Sequence, residues 1–375
     1  MNANDDWNHD VIIVGAGAAG IGVAIALIHA GIDDLVVLER NWAGSSFAAW
    51  PAETQFITPS FPTNSIGMLD LNSIAIGVSP GYSLQREHPT GHDYAAHLGA
   101  IADHFSLPIR EQTDVMRIEK EPGGGFSVYT AESVLFAKHV IWAAGEFQYP
   151  RTLLFPGSEL CQHTATIGSY DDVDGNDIIV IGGYESGIDA AYHLAYRDKM
   201  VRVFDRSCPW ESTSSDPSIT LSPHTLERMQ EDWFSEQVEL HAYTSIASVE
   251  QSDAGYTVTT SVGEQLHTET APVLAAGFEG SHTLVADLFE LREDGYPLLN
   301  DRDESTVSPG LFLCGPAVRH DNQVFCFIYK YRQRFAVVAK AIASALGLPA
   351  EELETYRLWG MYLDDLSCCG EECVC

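Results

Sequence analysis

Two stretches of the chain repeat one order of apolar and polar positions. Each opens with a short apolar run, residues 11–14 or 177–181, of the kind that forms a buried parallel strand. A glycine-rich turn and a helix-like stretch follow, and a second apolar run, 35–38 or 201–204, ends at an acidic residue. The sequence therefore predicts two units of strand, glycine turn, helix and strand.

The rest of the chain predicts elements that join these units. Residues 41–79 are irregular and interrupted by prolines, whereas a helix is expected to begin near Thr90. Residues 114–144 predict a β-meander that turns at Gly123–Gly125, and residues 248–270 predict a hairpin-like pair of strands.

Three further apolar runs end in small residues and glycine. They are "HVIWAAGEF" (139–147), "APVLAAGF" (271–278) and "SPGLFLCGP" (308–316). The first two are expected where the chain crosses between the units. The third leads to Gly315, and a helix from about 324 to 346 is expected to close the first unit.

The first glycine turn has the spacing of a dinucleotide-binding loop. Gly15 permits the tight turn, Gly17 lets the backbone approach a pyrophosphate, and Gly20 lets the helix lie close to the strand. The phosphates are expected at the N-terminus of the following helix. Glu39, at the end of the next strand, is placed to bind a ribose diol, which favours an adenosine without a 2′-phosphate.

The second glycine turn is less regular. Tyr184 occupies the place of the middle glycine, so a pyrophosphate must lie differently there or be held less closely. The following strand ends at Asp205, which suits a free ribose diol, and at Arg206, which suits a 2′-phosphate. We predict a nicotinamide site and leave NADH and NADPH open. Its expected contacts are Gly182, Gly183, Ser186, Gly187 and Arg206.

Hydride transfer gives one chain a reason to carry two dinucleotide units, because a nicotinamide held by the second can reduce a flavin held by the first. We therefore predict an α/β fold with two Rossmann-like dinucleotide-binding domains, for FAD and NAD(P)H, the second inserted in the first. The predicted boundaries are 1–160 with 272–350 (FAD), 161–271 (NAD(P)H) and 351–375 (a Cys-rich C-terminal tail). The expected FAD contacts are Gly15, Gly17, Gly20, Glu39, Arg40, Gly145 and Gly315.

Charge narrows the range of partners. The chain carries 53 acidic and 20 basic residues, a formal net charge of -33. This balance repels phosphate backbones, so we expect no nucleic-acid partner, and it suits a strongly solvated surface in a high-salt cytoplasm. The sequence has neither a signal-peptide pattern nor an apolar run long enough to span a bilayer, so we expect a cytoplasmic protein without a membrane partner.

Cysteines are distributed unevenly. Four of them, Cys161, Cys208, Cys314 and Cys326, are scattered and are each expected to be a buried or half-buried structural residue. The other four crowd into "SCCGEECVC", at Cys368, Cys369, Cys373 and Cys375. Loops this short constrain the fold little, so three alternatives stay open for the cluster: soft-metal ligation, redox-active pairs, or no role.

Several segments carry a family resemblance. They are "WPAETQFITPS", "FPGSELCQH", "VIGGYESGIDAA", "FDRSCPWESTSSDPSI" and "PGLFLCG". Over roughly residues 10–345 the chain resembles the thioredoxin-reductase-like flavoproteins with two dinucleotide sites, and most closely the bacillithiol disulfide reductase group. The resemblance implies that Trp50 lies at the FAD, that a bulky residue is tolerated in the second turn, and that Arg206 favours NADPH.

The thiols of that family are missing here. No C-x-x-C pair precedes the second glycine turn, residues 41–60 contain no cysteine, and Ala19 stands where the bacillithiol group has a cysteine. No thiol therefore inherits a catalytic role from the family. The C-terminal "SCCG" is similar to the vicinal cysteine pair of mercuric reductases, so the cluster is expected to substitute as an electron relay.

A second resemblance is to flavin-containing monooxygenases. "FPTNSIGMLD" is similar to their Thr-Asn segment, which implies that Asn64 lies near the flavin, and "FPG" with His163 and Thr164 resembles a shortened form of their fingerprint. The full spacing of that fingerprint is not met.

We therefore expect an FAD-dependent NAD(P)H oxidoreductase that reduces a small-molecule disulfide or a thiol-bound species, with no resident metal site and with homo-oligomerisation left open. Two alternatives remain: a flavin monooxygenase acting on a soft nucleophile, and a flavin-bearing redox or metal sensor. The expected catalytic residues are Cys368, Cys369, Cys373, Cys375 and Asn64.

Overall fold

The computed structural model describes residues 8–62, 69–214 and 216–367. Its strands are β1 (Asn8–Val14), β2 (Leu35–Leu38), β3 (Ile109–Arg110), β4 (Val115–Lys120), β5 (Phe126–Thr130), β6 (Val134–Trp142), β7 (Gln162–His163), β8 (Asp177–Ile181), β9 (Met200–Phe204), β10 (Val238–His241), β11 (Ile246–Ser252), β12 (Gly255–Thr260), β13 (Gln265–Thr268), β14 (Val273–Leu274), β15 (Leu311–Leu313), β16 (Arg319–His320) and β17 (Gln323–Val324).

Helices alternate with many of these strands. They are α1 (Ala18–His29), α2 (Ser45–Ala48), α3 (Pro80–Leu84), α4 (Gly91–His104), α5 (Glu185–Ala195), α6 (Pro223–Met229), α7 (Asp232–Gln237), α8 (Ile328–Tyr331), α9 (Phe335–Leu346) and α10 (Thr355–Leu358). No helix of the described ranges is long and apolar enough to cross a membrane.

The first lobe is built on a seven-stranded sheet in the order β3-β2-β1-β6-β5-β4, with β15 also paired to β6. β6 pairs in parallel with β1 and β15 and antiparallel with β5. β5 pairs with the first half of β6, and β15 pairs with the last three residues of β6. Both strands therefore lie on the same side of β6. The carboxyl ends of β1, β6 and β15 therefore meet at one edge of the sheet.

The second lobe repeats the parallel arrangement on a smaller scale. Its five-stranded sheet has the order β10-β9-β8-β14-β7, and each pairing is parallel. The antiparallel sheet β11-β12-β13 packs beside it, through a cluster that includes Ile179, Phe204, Val249 and Val258. The fold class expected from the sequence, α/β with two Rossmann-like units, is confirmed.

Helix packing closes the first lobe over its sheet. A Cβ on Gly22 of α1 would lie 2.2 Å from the Phe335 ring, so only glycine lets α1 and α9 approach this closely. Phe335 is fully buried, as is most of α1. After the irregular segment, α4 begins at Gly91 with a capping box formed by Thr90 and Asp93. The sequence predicted a helix start near Thr90.

The closing helix begins later than expected. Residues 323–324 pair with Arg319–His320 as a short hairpin, and the helical stretch starts only at Ile328. The backbone groups used by this hairpin are not free to form helical hydrogen bonds. The hairpin therefore places residues 325–327 in a connecting loop.

The segment after residue 350 packs on the first lobe. Leu353, Tyr356 and Met361 are buried in its core, and Arg334 donates hydrogen bonds to Leu363 O and to the buried Asp303 carboxylate. The sequence had suggested an appended tail from residue 351, but its first eleven residues contribute apolar side chains to the domain.

Polar contacts join the two lobes. Three consecutive residues of the first lobe bond to the second: Glu53 to Arg197 at 2.7 Å, Thr54 to Asp189 at 2.7 Å, and Gln55 to Arg228 at 2.8 Å. Asp189 also pairs with Arg228 at 2.9 Å. Burial raises the pKa of Asp189, but its bonds to His193 and Thr54 and the Arg228 charge outweigh burial and leave the pKa below its usual range.

Candidate functional site

A cavity of about 690 Å³ lies between the lobes and is lined from both. The first lobe contributes Gly15, Gly17 and Glu39, and the second contributes Glu185 and Ser186 at the start of α5. Ligand sites in parallel sheets lie beyond the carboxyl ends of the strands, and this cavity has that position for both sheets. It can therefore bring together two ligands held by different glycine turns.

The first glycine turn has the geometry that its spacing predicts. Gly15 has φ +102°, and Gly20 packs so closely that a Cβ there would lie 1.8 Å from Gly15 O. A Cβ on Gly17 would meet only Ser46 Oγ, at 4.0 Å, so the backbone at the start of α1 faces open space. Such an opening at a helix N-terminus suits a pyrophosphate.

The Glu39 carboxylate is fixed beside this turn. Its Oε2 accepts a hydrogen bond from Ala16 N at 2.7 Å, and its Oε1 accepts one from Asn41 N at 2.9 Å. Glu39 is buried yet lines the cavity. These bonds orient the carboxylate at the end of β2, where the sequence predicts a ribose.

The second glycine turn is constructed in the same way. Gly182 has φ +104°, and a Cβ on Gly187 would lie 1.9 Å from Gly182 O. Asp205 Oδ2 accepts from Gly183 N at 2.7 Å, just as Glu39 accepts from Ala16 in the first turn. The two glycine turns are therefore structural counterparts.

Tyr184 and Trp210 distinguish the second turn from the first. The Tyr184 hydroxyl donates to Thr220 O at 2.8 Å, which fixes the tyrosine against the loop that precedes α6. A Cβ on Gly183 would lie 2.5 Å from the Trp210 ring. Aromatic side chains therefore lie at Tyr184, the place of the middle glycine, and against Gly183, the counterpart of Ala16.

The expected site residues divide into three groups. Seven line the cavity: Gly15, Gly17, Glu39, Arg40, Trp50, Gly145 and Ser186. Another group shapes the turns or lies at strand ends without lining it: Gly20, Gly182, Gly183, Gly187, Gly315 and the exposed Arg206. Asn64 and the four C-terminal cysteines lie outside the described residues. Within the described ranges, no group of three His, Cys, Asp or Glu side chains is arranged to hold a metal ion.

Apart from Trp50, which the family resemblance places at the FAD, sequence reasoning missed the aromatic wall of the cavity. Phe47, Trp50 and Phe56 contact one another with ring centroids 5.0–5.7 Å apart, and the Phe147 and Phe278 ring centroids are 5.1 Å apart. All five line the cavity. Their concentration in an irregular segment and at two strand-to-glycine crossings was the available signal. Such a wall suits a flat aromatic ligand.

Sequence reasoning also missed two polar side chains of the cavity, Glu146 and Cys326. Glu146 directly follows Gly145, so its position after a strand-to-glycine crossing was a usable signal. Nothing in the sequence separates Cys326 from the other scattered cysteines, because its place in the cavity depends on the hairpin that precedes it.

This arrangement defines a class of protein. Two counterpart glycine turns, each followed by a strand that ends in a fixed carboxylate, open on one cavity with an aromatic wall. The residues present fit FAD at the first turn and a nicotinamide dinucleotide at the second, and the class is the flavoprotein oxidoreductases with two dinucleotide units.

The chain belongs to the pyridine nucleotide-disulphide oxidoreductase family, which matches residues 12–315. It is therefore an enzyme of the oxidoreductase class, and FAD and a pyridine nucleotide are its cofactors.

Two relatives show the extent of the match. A bifunctional thioredoxin reductase/thioredoxin of Mycobacterium leprae is 25% identical over 333 residues, covering 85% of this chain and 65% of its own length. The bacilliredoxin reductase of Bacillus subtilis is 21% identical over 336 residues, covering 88% of this chain and 97% of its own length. The chain thus spans somewhat less than two thirds of the first relative.

Solved structures share the fold. A bacillithiol disulfide reductase from Staphylococcus aureus has a TM-score of 0.73 at 21% identity, covering 90% of this chain and 99% of its own. A flavin-containing monooxygenase from Stenotrophomonas maltophilia has a TM-score of 0.70 at 16% identity, covering 91% and 99%. Reductases and monooxygenases therefore share this fold, and the fold by itself does not select the reaction.

Proposed function

We propose that the protein is an FAD-dependent NAD(P)H oxidoreductase that reduces a disulfide or a thiol-bound species, thiol-bound metal included. The observation that carries this proposal is the single cavity lined by both glycine-turn units. A cavity that reaches both glycine-turn units gives the nicotinamide and the flavin a common space for hydride transfer. The names of the reductase relatives support a thiol or disulfide as the substrate class.

Each cofactor has a proposed set of holding residues. FAD would be held by Gly15, Gly17, Gly20, Glu39, Arg40, Trp50, Gly145 and Gly315, and the nicotinamide dinucleotide by Gly182, Gly183, Ser186, Gly187 and Arg206. When bound, FAD supplies a carrier that accepts two electrons from the nicotinamide and passes them to a disulfide. The protein's own part is to orient both ligands and to exclude water from the cavity.

NADPH is the nicotinamide that the second turn favours. Asp205 already accepts bonds from Gly183 N, Ser207 N and Ser207 Oγ, at 2.7, 2.7 and 2.6 Å. These bonds fix the Asp205 carboxylate as those of Glu39 fix the first carboxylate, so the choice between the two nicotinamides depends on the residue that follows. Arg206 is exposed beside it and suits a 2′-phosphate.

We include the C-terminal cysteines in the proposal as an electron relay. The supporting contact is at the last described residues, where Leu366 O accepts from Gln323 Nε2 at 3.2 Å. Gln323 belongs to the hairpin that leads into the cavity-lining loop. Leu366 therefore lies beside a loop that lines the cavity, and Cys368 is two residues further along the chain.

An anaerobic titration of the FAD-loaded protein with NADPH tests the proposal. The full chain is compared with a chain truncated after Ser367, and the electron equivalents taken up by each are counted. We expect more than the two electrons of the flavin in the full chain, and the excess should vanish on truncation. Turnover of NADPH with 2-hydroxyethyl disulfide is measured in parallel.

Two outcomes contradict parts of the proposal. Equal uptake by both chains, with disulfide turnover intact, would remove the tail from the electron path but keep the reductase. Absence of disulfide turnover in the full chain would reject the reductase. A long-lived absorbance band of an oxygen adduct after mixing with oxygen would then favour the monooxygenase, and protection of the tail thiols by a titrated soft metal would favour the sensor.

A further inference from the structure

Among the four cysteines that the structure describes, Cys326 is the one that lines the cavity. It is half-buried in the loop between the hairpin and α8, and it lines the cavity. The three other described cysteines, Cys161, Cys208 and Cys314, do not line it. Cys326 therefore differs from these three cysteines because a ligand in the cavity can reach its thiol.

A polar chain from the second lobe holds the Cys326 side chain. Its Sγ donates to Ser218 Oγ at 3.3 Å, and Ser218 Oγ also accepts from Lys330 Nζ at 2.9 Å. Lys330 is buried and pairs with Asp216 at 3.2 Å. The thiol therefore lies where the two lobes meet, with an ammonium group one hydrogen bond away.

Glu146 lines the same cavity and follows the carboxyl end of β6. It lies four residues beyond β6, whose last residue, Trp142, pairs with Leu313 at the end of β15. Within the described part of the chain, its carboxylate has neither a hydrogen bond nor an ion pair. A half-buried carboxyl group that lines the cavity and has no side-chain partner there is available to bind a ligand or to carry a proton.

The buried position of the Cys326 thiol keeps it protonated at rest. Burial raises the pKa of Cys326, and the Glu146 carboxylate adds to this. The Ser218 hydrogen bond and the Lys330 and Arg319 charges act in the opposite direction without reversing it. The thiol therefore needs a base before it can act as a nucleophile.

Glu146 has the properties of that base. Burial raises its pKa, and the Arg319 and Arg151 charges offset burial only in part. A carboxyl group whose pKa moves towards neutrality can both accept and return a proton. Its charge acts on Cys326 and on Tyr331, which also line the cavity.

We propose that Cys326 is the nucleophile that exchanges with the substrate disulfide, and that Glu146 carries the proton between the sulfur atoms. This inference rests on the proposed disulfide reductase and names its catalytic thiol.

The exchange step balances within the protein and its substrate. Glu146 takes the proton of Cys326, and the thiolate attacks one sulfur of the substrate disulfide. A Cys326–substrate disulfide forms, the original S–S bond breaks, and the second sulfur leaves with the proton that Glu146 returns. The mixed disulfide then needs two electrons and two protons to yield two thiols. NADPH, the reductant of the proposed function, supplies the electrons.

The first test traps the mixed disulfide without any reductant. Full-length protein is incubated anaerobically with 2-hydroxyethyl disulfide, and its cysteine peptides are mapped by mass spectrometry. We expect a mixed disulfide on Cys326, and at least about 100-fold slower NADPH turnover of the same probe in Cys326→Ser. The matched control is Cys161→Ser, another half-buried cysteine, which should react at the wild-type rate.

The second test separates the two proton transfers assigned to Glu146. Glu146→Gln lacks the base that takes the Cys326 proton, so its reaction with iodoacetamide should be slower than that of the wild type. Exchange with 4,4′-dithiodipyridine, whose leaving group needs no proton, should slow by the same factor. Exchange with 2-hydroxyethyl disulfide should slow further, about 100-fold in total, because its leaving thiolate also needs the returned proton.

The outcomes distinguish this inference from the proposed function. Wild-type turnover that persists in Cys326→Ser, or labelling confined to other cysteines, would overturn the role of Cys326 and leave the reductase standing. In Glu146→Gln, equal slowing of both disulfides would overturn proton return to the leaving sulfur, and an unchanged rate with iodoacetamide would overturn proton removal from Cys326. Absence of probe turnover in the wild type, with Cys326 still labelled, would reject the reductase instead.

Discussion

Glu39 shows how one carboxylate serves two purposes. It satisfies the backbone N–H groups of Ala16 and Asn41, and it lines the cavity at the predicted ribose position. A buried acceptor with two such donors cannot be removed without leaving them unpaired. The same residue therefore shapes the first glycine turn and prepares its ligand site.

Replacing Glu39 by Ala should weaken FAD binding about 10- to 100-fold, since charge-assisted hydrogen bonds contribute about 1.5–3 kcal/mol. Titration of the apoprotein with FAD, followed by flavin fluorescence, measures the change. The exposed Glu132→Ala is the control and should bind FAD like the wild type. Unchanged affinity in Glu39→Ala would show that this carboxylate does not contact the cofactor.

His97 is a second residue whose environment has a measurable consequence. It is buried in α4, and its Nδ1 bonds to the Ser83 hydroxyl at 2.8 Å. Burial lowers its pKa from 6.5 to about 4, although the Asp70 charge acts the other way. The folded protein thus keeps His97 neutral at pH values where the unfolded chain binds a proton.

Stability should therefore fall as the pH drops from 6.5 towards 4, by at most about 3 kcal/mol from this residue. Urea unfolding at about pH 7 and about pH 4.5 measures the loss. His97→Gln should show a smaller difference between the two pH values than the wild type. The exposed His104→Gln should keep the full difference, and an equal difference in His97→Gln would rule out this origin.

At the scale of elements, the contact between strand and helix in each glycine turn sets the geometry. A Cβ on Gly20 or Gly187 would lie within 2 Å of a backbone oxygen, so the helix could not pack at its present distance from the strand. Both turns therefore need glycine at the third position, although their middle residues, Gly17 and Tyr184, differ. This explains why the third glycine is retained where Tyr184 replaces the second.

Gly20→Ala should destabilise the protein by about 2 kcal/mol or more and impair FAD retention, because α1 must shift away from β1. Gly99→Ala is the matched control, since Gly99 also lies in a helix but a Cβ there meets no atom within 4 Å. That variant should gain up to about 1 kcal/mol from helix propensity. Thermal unfolding of both variants compares them, and equal destabilisation would contradict the steric argument.

At the scale of the whole molecule, the acidic surface dominates. A net charge of -33 produces repulsion within the folded chain that salt can screen. The exposed ion pairs present, such as that of Lys138 with Asp10 at 2.6 Å, offset only a small part of this charge.

Raising KCl from about 0.1 M to about 2 M should therefore raise the midpoint of thermal unfolding by several degrees. Differential scanning fluorimetry measures the shift, and a neutral osmolyte at the same concentration is the control. A midpoint that does not respond to KCl would mean that the charges are already balanced by local pairing.

The lobes themselves were largely predictable. Both glycine units, their strands and the β-meander follow from apolar runs and glycine positions, which act over a few residues and therefore leave a local signal. The start of the closing helix was not predictable in this way, because pairing of residues 323–324 with 319–320 competes with the helix. The packing of Leu353 and Tyr356 likewise depends on a distant surface.

The sequence by itself determined the two dinucleotide units, since each is encoded by contiguous residues with a fixed spacing. Only the tertiary structure decided what faces the space between them. Glu146 and Cys326 are far apart in the chain, and they share a cavity because parallel pairing aligns the carboxyl ends of β6 and β15 and a hairpin turns the following loop inward. Contacts of that kind depend on sheet register and lobe packing, which no local pattern records.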